Sequence, residues 1–453
     1  MGFTSIIMAA GMGTRMKSKM PKVIHKVCGK ELCRWVIDVS RDAGADKICT
    51  IVGHKADMVK EMLGDICEFA LQAEQKGTGH AVMQAIDVIK SAKNEIVILN
   101  GDIPLVTAES IKNAVEYHRA CGNQATVITA VMDDATGYGR IVRGADGGVK
   151  KIVEHKDANE EEKKINEINS GMYVFDSGEL VYALSKLTPN NAQGEYYITD
   201  TLEILLEAGK KIGGYAISDN DEIRGINDRV QLDEAEQIMQ KRINEMHMRN
   251  GVTIHNPESV FIEDGVEIGS DTEICQNVIV KSGTKIGSDC IIGSGSVLDG
   301  AVIHDRVDVL SSVIIQSEVG SGTHVGPFAY IRPNCKVGED VKVGDFVEIK
   351  NSEIDDGTKI SHLTYIGDSD VGKRVNFGCG TVTCNYDGKK KYRTTIGDDC
   401  FVGCNTNFVS PINVGDGAYI AAGSTITEDI PANSLSVARS RQVNKEDWKD
   451  KRK

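Results

Sequence analysis

Through the last third of the chain, apolar residues return at every sixth position. Ile262, Ile268, Ile274, Val280, Ile286, Ile292 and Leu298 make one run, Val325, Ile331, Val337, Val343 and Ile349 a second, and Ile396, Val402, Phe408, Val414, Ile420 and Ile426 a third. A helix repeats at about 3.6 residues and a strand at about two, so neither accounts for this period. The next position is often glycine, as at Gly269, Gly287, Gly338 and Gly403, and the fourth after it is small or β-branched, as at Thr272, Cys290, Ser296 and Thr406. Each unit reads as a short strand and a tight turn. One unit cannot bury its apolar side chain alone, so units must stack and fill a continuous interior, which predicts a parallel β-helix. At about 4.8 Å between stacked strands, residues 252–430 would form a rod on the order of 45 Å long. The six-residue phase slips between Ile349 and Ile354 and is lost from Val371 to Arg393.

Before the repeats, Asp228 to about Asn250 carries apolar residues at helical spacing with charge on the other face, and Gly251 is a fitting stop. It predicts a linker helix. The first part of the chain has strand-like runs at Ser5–Met8, Ile48–Val52, Ile96–Leu99 and Thr126–Val131, separated by helix-length mixtures. That alternation predicts a doubly wound, Rossmann-like α/β domain. The expected organisation is therefore 1–227, a helix over 228–250, and a repeat domain over 251–453.

The first strand turns at Ala9-Ala10-Gly11-Met12-Gly13-Thr14-Arg15 and is expected to lead into a helix. Glycines let a backbone approach a ligand closely, and free turn amides favour an anion. Arg15 and Lys22, behind Pro21, add cationic charge. The third glycine of a dinucleotide fingerprint is replaced by Met16, and no Walker lysine follows. A polar loop, Gln72 to His80, can read a base edge, although a solvated loop capped at Thr78 has the same composition. Asn100-Gly101-Asp102 ends a predicted strand, where ligands of open α/β sheets gather. In the repeat region the broken segment holds Lys350, His362, Tyr365, Asn376, Asn385 and Tyr386, side chains a plain scaffold does not need. His362 can accept a proton near neutral pH.

Composition narrows the partners. A formal charge of −14 argues against a nucleic-acid surface, so a phosphate ligand has to be met by local cations and amides. No basic n-region opens the chain and no apolar run approaches a membrane span, so a cytoplasmic protein is expected. Twelve cysteines form no Cys-x-x-Cys pair, and free thiols are expected.

Met8 to Met16 with Pro21-Lys22 closely resembles the signature of sugar-1-phosphate nucleotidylyltransferases, and the sixfold repeat resembles that of hexapeptide acyltransferases. Joined in one chain, they resemble the bacterial family of bifunctional N-acetylglucosamine-1-phosphate uridylyltransferases and glucosamine-1-phosphate acetyltransferases. The resemblance covers essentially the full chain. Met8 is a mild departure, where that family commonly has leucine. It implies a left-handed β-helix, a homotrimer, Mg²⁺ as the divalent cation, and UTP and acetyl-CoA as co-substrates.

By the same resemblance, Met8, Ala9, Ala10, Gly11, Gly13, Lys22, Asn100, Gly101 and Asp102 bind UTP or UDP-N-acetylglucosamine, and Arg15 and Lys22 are catalytic. Gln72, Gly77 and Thr78 hold uracil, while Gly139, Glu154, Asn169 and Thr199 serve the amino sugar. Asp102 and Asn227 are the implied metal ligands. In the repeat domain His362 is the implied base and Glu348 the carboxylate that orients it. Arg332, Lys350, Tyr365 and Asn376 would hold the sugar phosphate, and Asn385, Tyr386, Ala422 and Arg439 the acetyl-CoA groove. Cys379 and Cys404 map to that groove where alanine and serine are common.

The implied activity is acetylation of glucosamine 1-phosphate, then transfer of UMP from UTP to N-acetylglucosamine 1-phosphate with release of pyrophosphate. The alternative is a single-function nucleotidylyltransferase whose β-helix is structural or regulatory, and His362 with the Asn385-Tyr386 loop speaks against it.

Overall fold

The computed structural model describes residues 2–145, 147–190 and 193–452, and the chain divides into two compact units, Met1–Met239 and Gln240–Lys453. Asn191 and Ala192, part of the Asn191–Asp200 motif, lie outside the described residues.

In the first unit, strands β1 (Phe3–Ala9), β2 (Ala45–Val52), β3 (Glu68–Leu71), β4 (Ile96–Asn100), β5 (Ala125–Val131), β6 (Arg140–Arg143), β7 (Val149–Val153), β8 (Glu167–Phe175) and β9 (Ile212–Ala216) form one sheet. Its main order is β9-β5-β8-β4-β1-β2-β3, with β6 and β7 as a hairpin off β8. β8 runs antiparallel to β4 and β5, and the neighbours of β1 are parallel to it. All four strands expected from sequence are present, each longer at one or both ends. Their continuous apolar runs follow from burial on both faces: Ile6, Ile7, Val97, Ile98 and Leu99 are fully enclosed between two apolar clusters.

The glycine turn does not open a helix. Only a 3-10 turn, Thr14–Met16, follows, bracketed by Gly13 and Lys17 in the left-handed region, and the first α-helix begins at Leu32. Two left-handed residues so close together stop helix propagation. Anion-directed amides here belong to a loop.

The second unit is a left-handed parallel β-helix of three walls. The first has 11 strands, from Thr253–Ile254 to Leu435–Ser436, the second 10, from Phe261–Ile262 to Thr425–Ile426, and the third 9, from Glu267–Ile268 to Ile412–Val414. Every strand pair in the walls is parallel, and apolar residues stack in register, such as Ile274 on Ile292 and Ile349 on Ile366. The fourth repeat position now has a reason. Thr272 Oγ1 donates to the Gly287 carbonyl at 2.8 Å and accepts from Cys290 N at 3.1 Å, and Thr323 and Thr358 make the same two bonds. A buried hydroxyl therefore satisfies corner amides that the ladder leaves over.

The lost phase is not a broken rod. Val371 pairs with Ile396 and Thr383 with Phe408, so the walls continue, and the extra residues leave as a loop between Val382–Cys384 and Thr394–Ile396. The helix Arg229–Arg249 contains the division between units. Its first part is tied to the first unit by Glu236 Oε1, which accepts from Cys28 N at 3.0 Å. Further on, Asn244 Nδ2 donates to the carbonyls of Pro257 and Val260. Gly251 ends it at φ 94°. Among the described residues no helix is long and apolar enough to cross a membrane, and no three or more His, Cys, Asp or Glu side chains are grouped so as to hold a metal ion by themselves.

Three buried histidines, His25, His118 and His247, each leave Nε2 without a hydrogen-bond partner, and burial lowers the pKa of all three. Their folded pKa lies below the unfolded value of about 6.5, so the unfolded chain takes the proton first and stability is lost as pH falls through that value. The thermal midpoint is expected to drop by a few degrees between pH 7.5 and 5.5. His118→Gln combined with His247→Gln should reduce that drop, and an unchanged drop would contradict this origin.

Candidate functional site

The carboxyl ends of β1, β2 and β4 lie side by side, with Met8 opposite Asn100 and Ala9 opposite Val52. They open onto a cleft of about 340 Å³ lined by Met8, Ala9, Ala10, Gly11, Lys22, Gln72, Gly77, Thr78, Asn100 and Asp102, ten of the residues expected there, together with Val23, Gln75, Ala81 and Glu195. Three glycines help to shape it. A Cβ on Gly13 would lie 2.6 Å from Lys22 Cβ, so this glycine lets Lys22 come in beside the loop. Gly77 sits at φ 100° with the Tyr196 carbonyl 2.5 Å from where a Cβ would be. A Cβ on Gly11, by contrast, meets nothing within 4 Å, and its φ is not positive. The fold does not require glycine at position 11; an approaching ligand would.

Lys22 is the centre of the polar end. Its ammonium donates to Asp102 Oδ2 and, at 3.2 Å, to Asn227 Oδ1, which also accepts from Arg15 Nη2 at 2.8 Å. Asn227 is brought there by the bond from Ile226 N to the Asp102 carbonyl. Both oxygens thus surround a single cation position, occupied by the lysine ammonium. A hard divalent cation takes one or two protein oxygens and completes its shell with phosphate and water. The donor set of Asp102 and Asn227 fits that requirement.

Glu154, Gly139 and Asn169 form a second group. A Cβ on Gly139 would be 3.4 Å from Glu154 Oε1, and Asn169 N donates to the Gly139 carbonyl at 2.9 Å. The Glu154 carboxyl is raised, first by burial and then by Asp157. Asn100 Nδ2 donates to the Gly171 carbonyl at 3.4 Å and links this group to the cleft. Thr199 precedes the helix Asp200–Glu207, and burial, then Glu203 and Glu154, raise the Asp200 carboxyl. Gly101 packs under the cleft against Ala9 and the Met8 carbonyl.

In the β-helix the expected residues gather at two corners. At the corner between second and third walls, a cavity of about 440 Å³ is lined by Arg332, Lys350, Asn351, Asp368 and Lys391 with Pro333 and Asn334. Asp368 is the buried hub: it accepts from Asn351 Nδ2 at 2.6 Å and Asn385 Nδ2 at 2.5 Å, and Lys350 Nζ is 3.5 Å away. Asn385 reaches the Tyr365 hydroxyl at 3.4 Å. Lys391 is held below the usual lysine range by its hydrogen bond and charge contact with Lys350. Lys350 is raised by that hydrogen bond and then by Asp368. Three cations face two carboxylates here, Asp368 and the Glu348 that Arg332 engages, so the corner is short of negative charge, which a phosphate can supply.

At the corner between first and second walls, His362 stands at the end of the strand Lys359–His362. Asn376 begins the next strand pair of the first wall, so it is not at the cation corner. The carboxylate on His362 is Asp345, whose Oδ1 is 2.5 Å from Nδ1. This corrects the expectation for Glu348. That carboxylate accepts from Arg332 Nη1 at 2.9 Å, because Arg332 leaves the adjacent coil and reaches back along the second wall. Cys379 and Cys404 continue the same corner in register: Asn405 N donates to the Cys379 carbonyl at 2.8 Å, and Cys404 N is 2.4 Å from a Cβ on Gly378. Gly403 meets Ala422 N in the same way, and Arg439 Cδ lies 3.8 Å from a Cβ on Gly423. A line from His362 through Cys379, Cys404 and Ala422 to Arg439 thus follows one edge. Tyr386 lies on the inserted loop, where it bridges to Lys391.

Sequence reasoning missed Gln75, whose Nε2 donates to the Ala10 carbonyl at 2.8 Å, as well as Asp345, Asp368 and Lys391. Lys391 lies in a run of lysines that composition reads as solvated. Asp345 is 17 positions before His362, one coil length in this part of the repeat, and counting coils back from the histidine would have found it.

Comparison with known proteins agrees with this division. The nucleotidyl transferase family matches residues 4–221, and bacterial transferase hexapeptide repeats match residues 265–300, 316–351 and 393–428. The bifunctional protein GlmU of Acetivibrio thermocellus is 55% identical over 98% of this chain and 96% of its own length. That of Caldanaerobacter subterraneus subsp. tengcongensis is 52% identical, covering 99% of this chain and 98% of its own, and that of Clostridium botulinum strain Loch Maree 53% with the same coverage. With both matched regions carrying a built site and the likeness running the full length, the chain belongs to the bifunctional GlmU proteins.

Proposed function

We infer that the chain makes UDP-N-acetylglucosamine in two steps, acetylating glucosamine 1-phosphate on the β-helix and then joining N-acetylglucosamine 1-phosphate to UMP from UTP on the α/β unit. The observation that carries this is a pair of separate sites, each with cations placed for a phosphate, on two separately packed units of one GlmU chain. Incubation with glucosamine 1-phosphate, acetyl-CoA, UTP and Mg²⁺ tests it, since free CoA, pyrophosphate and UDP-N-acetylglucosamine should appear in equal amounts.

In the uridylyl step the sugar phosphate attacks the α-phosphorus in line. Arg15, Lys22 and the loop amides from Ala10 to Gly13 stabilise charge on the departing pyrophosphate, which is catalysis by positioning and electrostatics. Asp102 and Asn227 would hold Mg²⁺, which supplies further positive charge to the phosphates. Lys22, which shares those two oxygens, would then be available to a phosphate. Gln72, Gly77 and Thr78 read the base, and Gly139, Glu154, Asn169 and Thr199 meet the amino sugar.

In the acetyl step Arg332, Lys350 and Lys391 hold the sugar phosphate, Tyr365 and Asn376 flank the sugar, and His362 takes the amine proton. Cys379, Cys404, Ala422 and Arg439 line the way for acetyl-CoA, with Asn385 and Tyr386 on the other side of the second wall. These residues occupy two corners and the first wall, which supports a site completed between copies in a homotrimer. An exposed ridge of Leu310, Phe328, Phe346 and Leu363 beside the His362 corner supports the same reading.

His362→Ala should abolish acetyl transfer and leave uridylyl transfer within about twofold, whereas Asp102→Ala should do the reverse; equal loss of both activities in either variant would refute two independent sites. Gly11→Ala should leave the thermal midpoint within about 2 °C, because the added methyl meets open space, yet raise KM for UTP about tenfold, which is ~1.4 kcal/mol of binding. A fragment of residues 1–239 should retain uridylyl transfer, and one of 240–453 should sediment as a trimer and acetylate. A fully active monomer of the second fragment would rule out the shared site.

A further inference from the structure

We propose that Asp345 is a positioning residue for acetyl transfer, fixing the His362 ring so that Nε2 carries the lone pair that takes the amine proton. The proposal rests on the reading of His362 as the base.

Three observations carry it. The backbone ladder, and not side-chain reach alone, brings the pair together: Lys342 pairs with Lys359, Val343 with Ile360 and Asp345 with His362. The two strands involved, Lys342–Asp345 and Lys359–His362, have four residues each, whereas the other strands of the first wall have two. The extra length ends on this pair. Between them, a Cβ on Gly344 would fall 1.9 Å from the Ser361 carbonyl oxygen, so only glycine lets the two coils approach here.

The second observation is the bond itself, Asp345 Oδ1 to His362 Nδ1 at 2.5 Å. The His362 hydrogen bond holds the Asp345 carboxyl below the usual carboxylate range, so it is an ionised acceptor and Nδ1 must be the donor. That fixes the tautomer, and among the described residues no protein group bonds Nε2. Third, both side chains are substantially exposed in the single chain, 36% for Asp345 and 59% for His362. An exposed pair contributes little to stability, so fold maintenance does not explain an extended ladder that ends on it.

The chemistry follows the geometry. As the neutral amine attacks the thioester, the N–C bond forms and the C–S bond breaks. The amine proton passes to Nε2 and then to the departing thiolate, which leaves as the thiol. During that transfer the ring is an imidazolium, and the Asp345 carboxylate stabilises it. On the first two walls around this corner, Lys342, Asp345 and Glu348 are the ionisable groups of the preceding coil up to position 348, Lys359 and Tyr365 those beside His362 on its own coil, and Cys379 stands on the following one. Of these only Asp345 bonds the ring, since Glu348 is held by Arg332.

The test measures thiol release from acetyl-CoA with glucosamine 1-phosphate across pH 5.5–9 for the full-length protein and for Asp345→Asn, Asp345→Glu and His362→Ala. Uridylyl transfer in the same samples reports the first unit, and sedimentation together with the thermal midpoint reports folding and assembly of the β-helix. Asp345→Asn should lower kcat about 10- to 100-fold, part of the 10²- to 10⁴-fold that a general base contributes, with KM within about twofold. The acid limb of its pH profile should move to lower pH, and Asp345→Glu should recover most of the rate. An Asp345→Asn enzyme with wild-type kcat and acid limb overturns the proposal, as does a loss of rate without movement of the limb. If His362→Ala still acetylates, the base assignment fails instead, which the Asp345 variants alone would not reveal.

Discussion

A coil of the β-helix buries its Ile or Val only against the coils before and after it, and this dependence on in-register stacking sets nearly everything else in the second unit. Ile274, Ile292 and Val309 lie in one column because parallel pairing leaves no other way to cover them. The same register lines up whatever occupies the corners. Asp345, His362, Cys379 and Cys404 stand one above another at the same point of successive coils, although their sequence spacings are 17, 17 and 25. The last spacing is longer because the inserted loop is expelled and the wall kept. Losing a layer of apolar stacking would cost more than closing a longer loop, whose entropy grows only slowly with length.

The α/β unit solves a different problem. Its sheet is buried on both faces, so polar groups can meet a ligand only at strand ends, and the neighbouring carboxyl ends of β1, β2 and β4 supply the floor. The cleft uses loop amides and Gly13, not a helix start, because Lys17 at φ 47° halts the 3-10 turn. Lys22, Asp102 and Asn227 then form a compact charge group in which lysine stands where a divalent cation would.

Charge is local throughout. A chain with a net charge of −14 holds phosphate-sized anions only where it concentrates cations, and it does so at Arg15 with Lys22 and at Arg332 with Lys350 and Lys391. At the second place Lys350 lowers Lys391, while Lys350 itself is raised, first by that hydrogen bond and then by Asp368. Such an excess of cations suits an anion.

The period of six by itself determined the β-helix, because no other regular structure repeats at that interval and each buried position had to be filled by a neighbour's. Four of the nine strands in the sheet of the α/β unit were equally legible, since runs such as Ile96–Leu99 suit only a doubly covered sheet. Ten residues that the family resemblance groups together do line one cleft. Partnerships were not legible. That Glu348 turns to Arg332 while Asp345 takes His362, that Asp368 anchors Lys350, and that Lys391 joins the cation corner all depend on which residues the coils bring into register. The coil length varies between 16 and 18 before the loop, so a linear reading drifts by a residue or two, and a drift of one changes which face a side chain occupies. Only the closed hydrogen-bond ladder fixes that count.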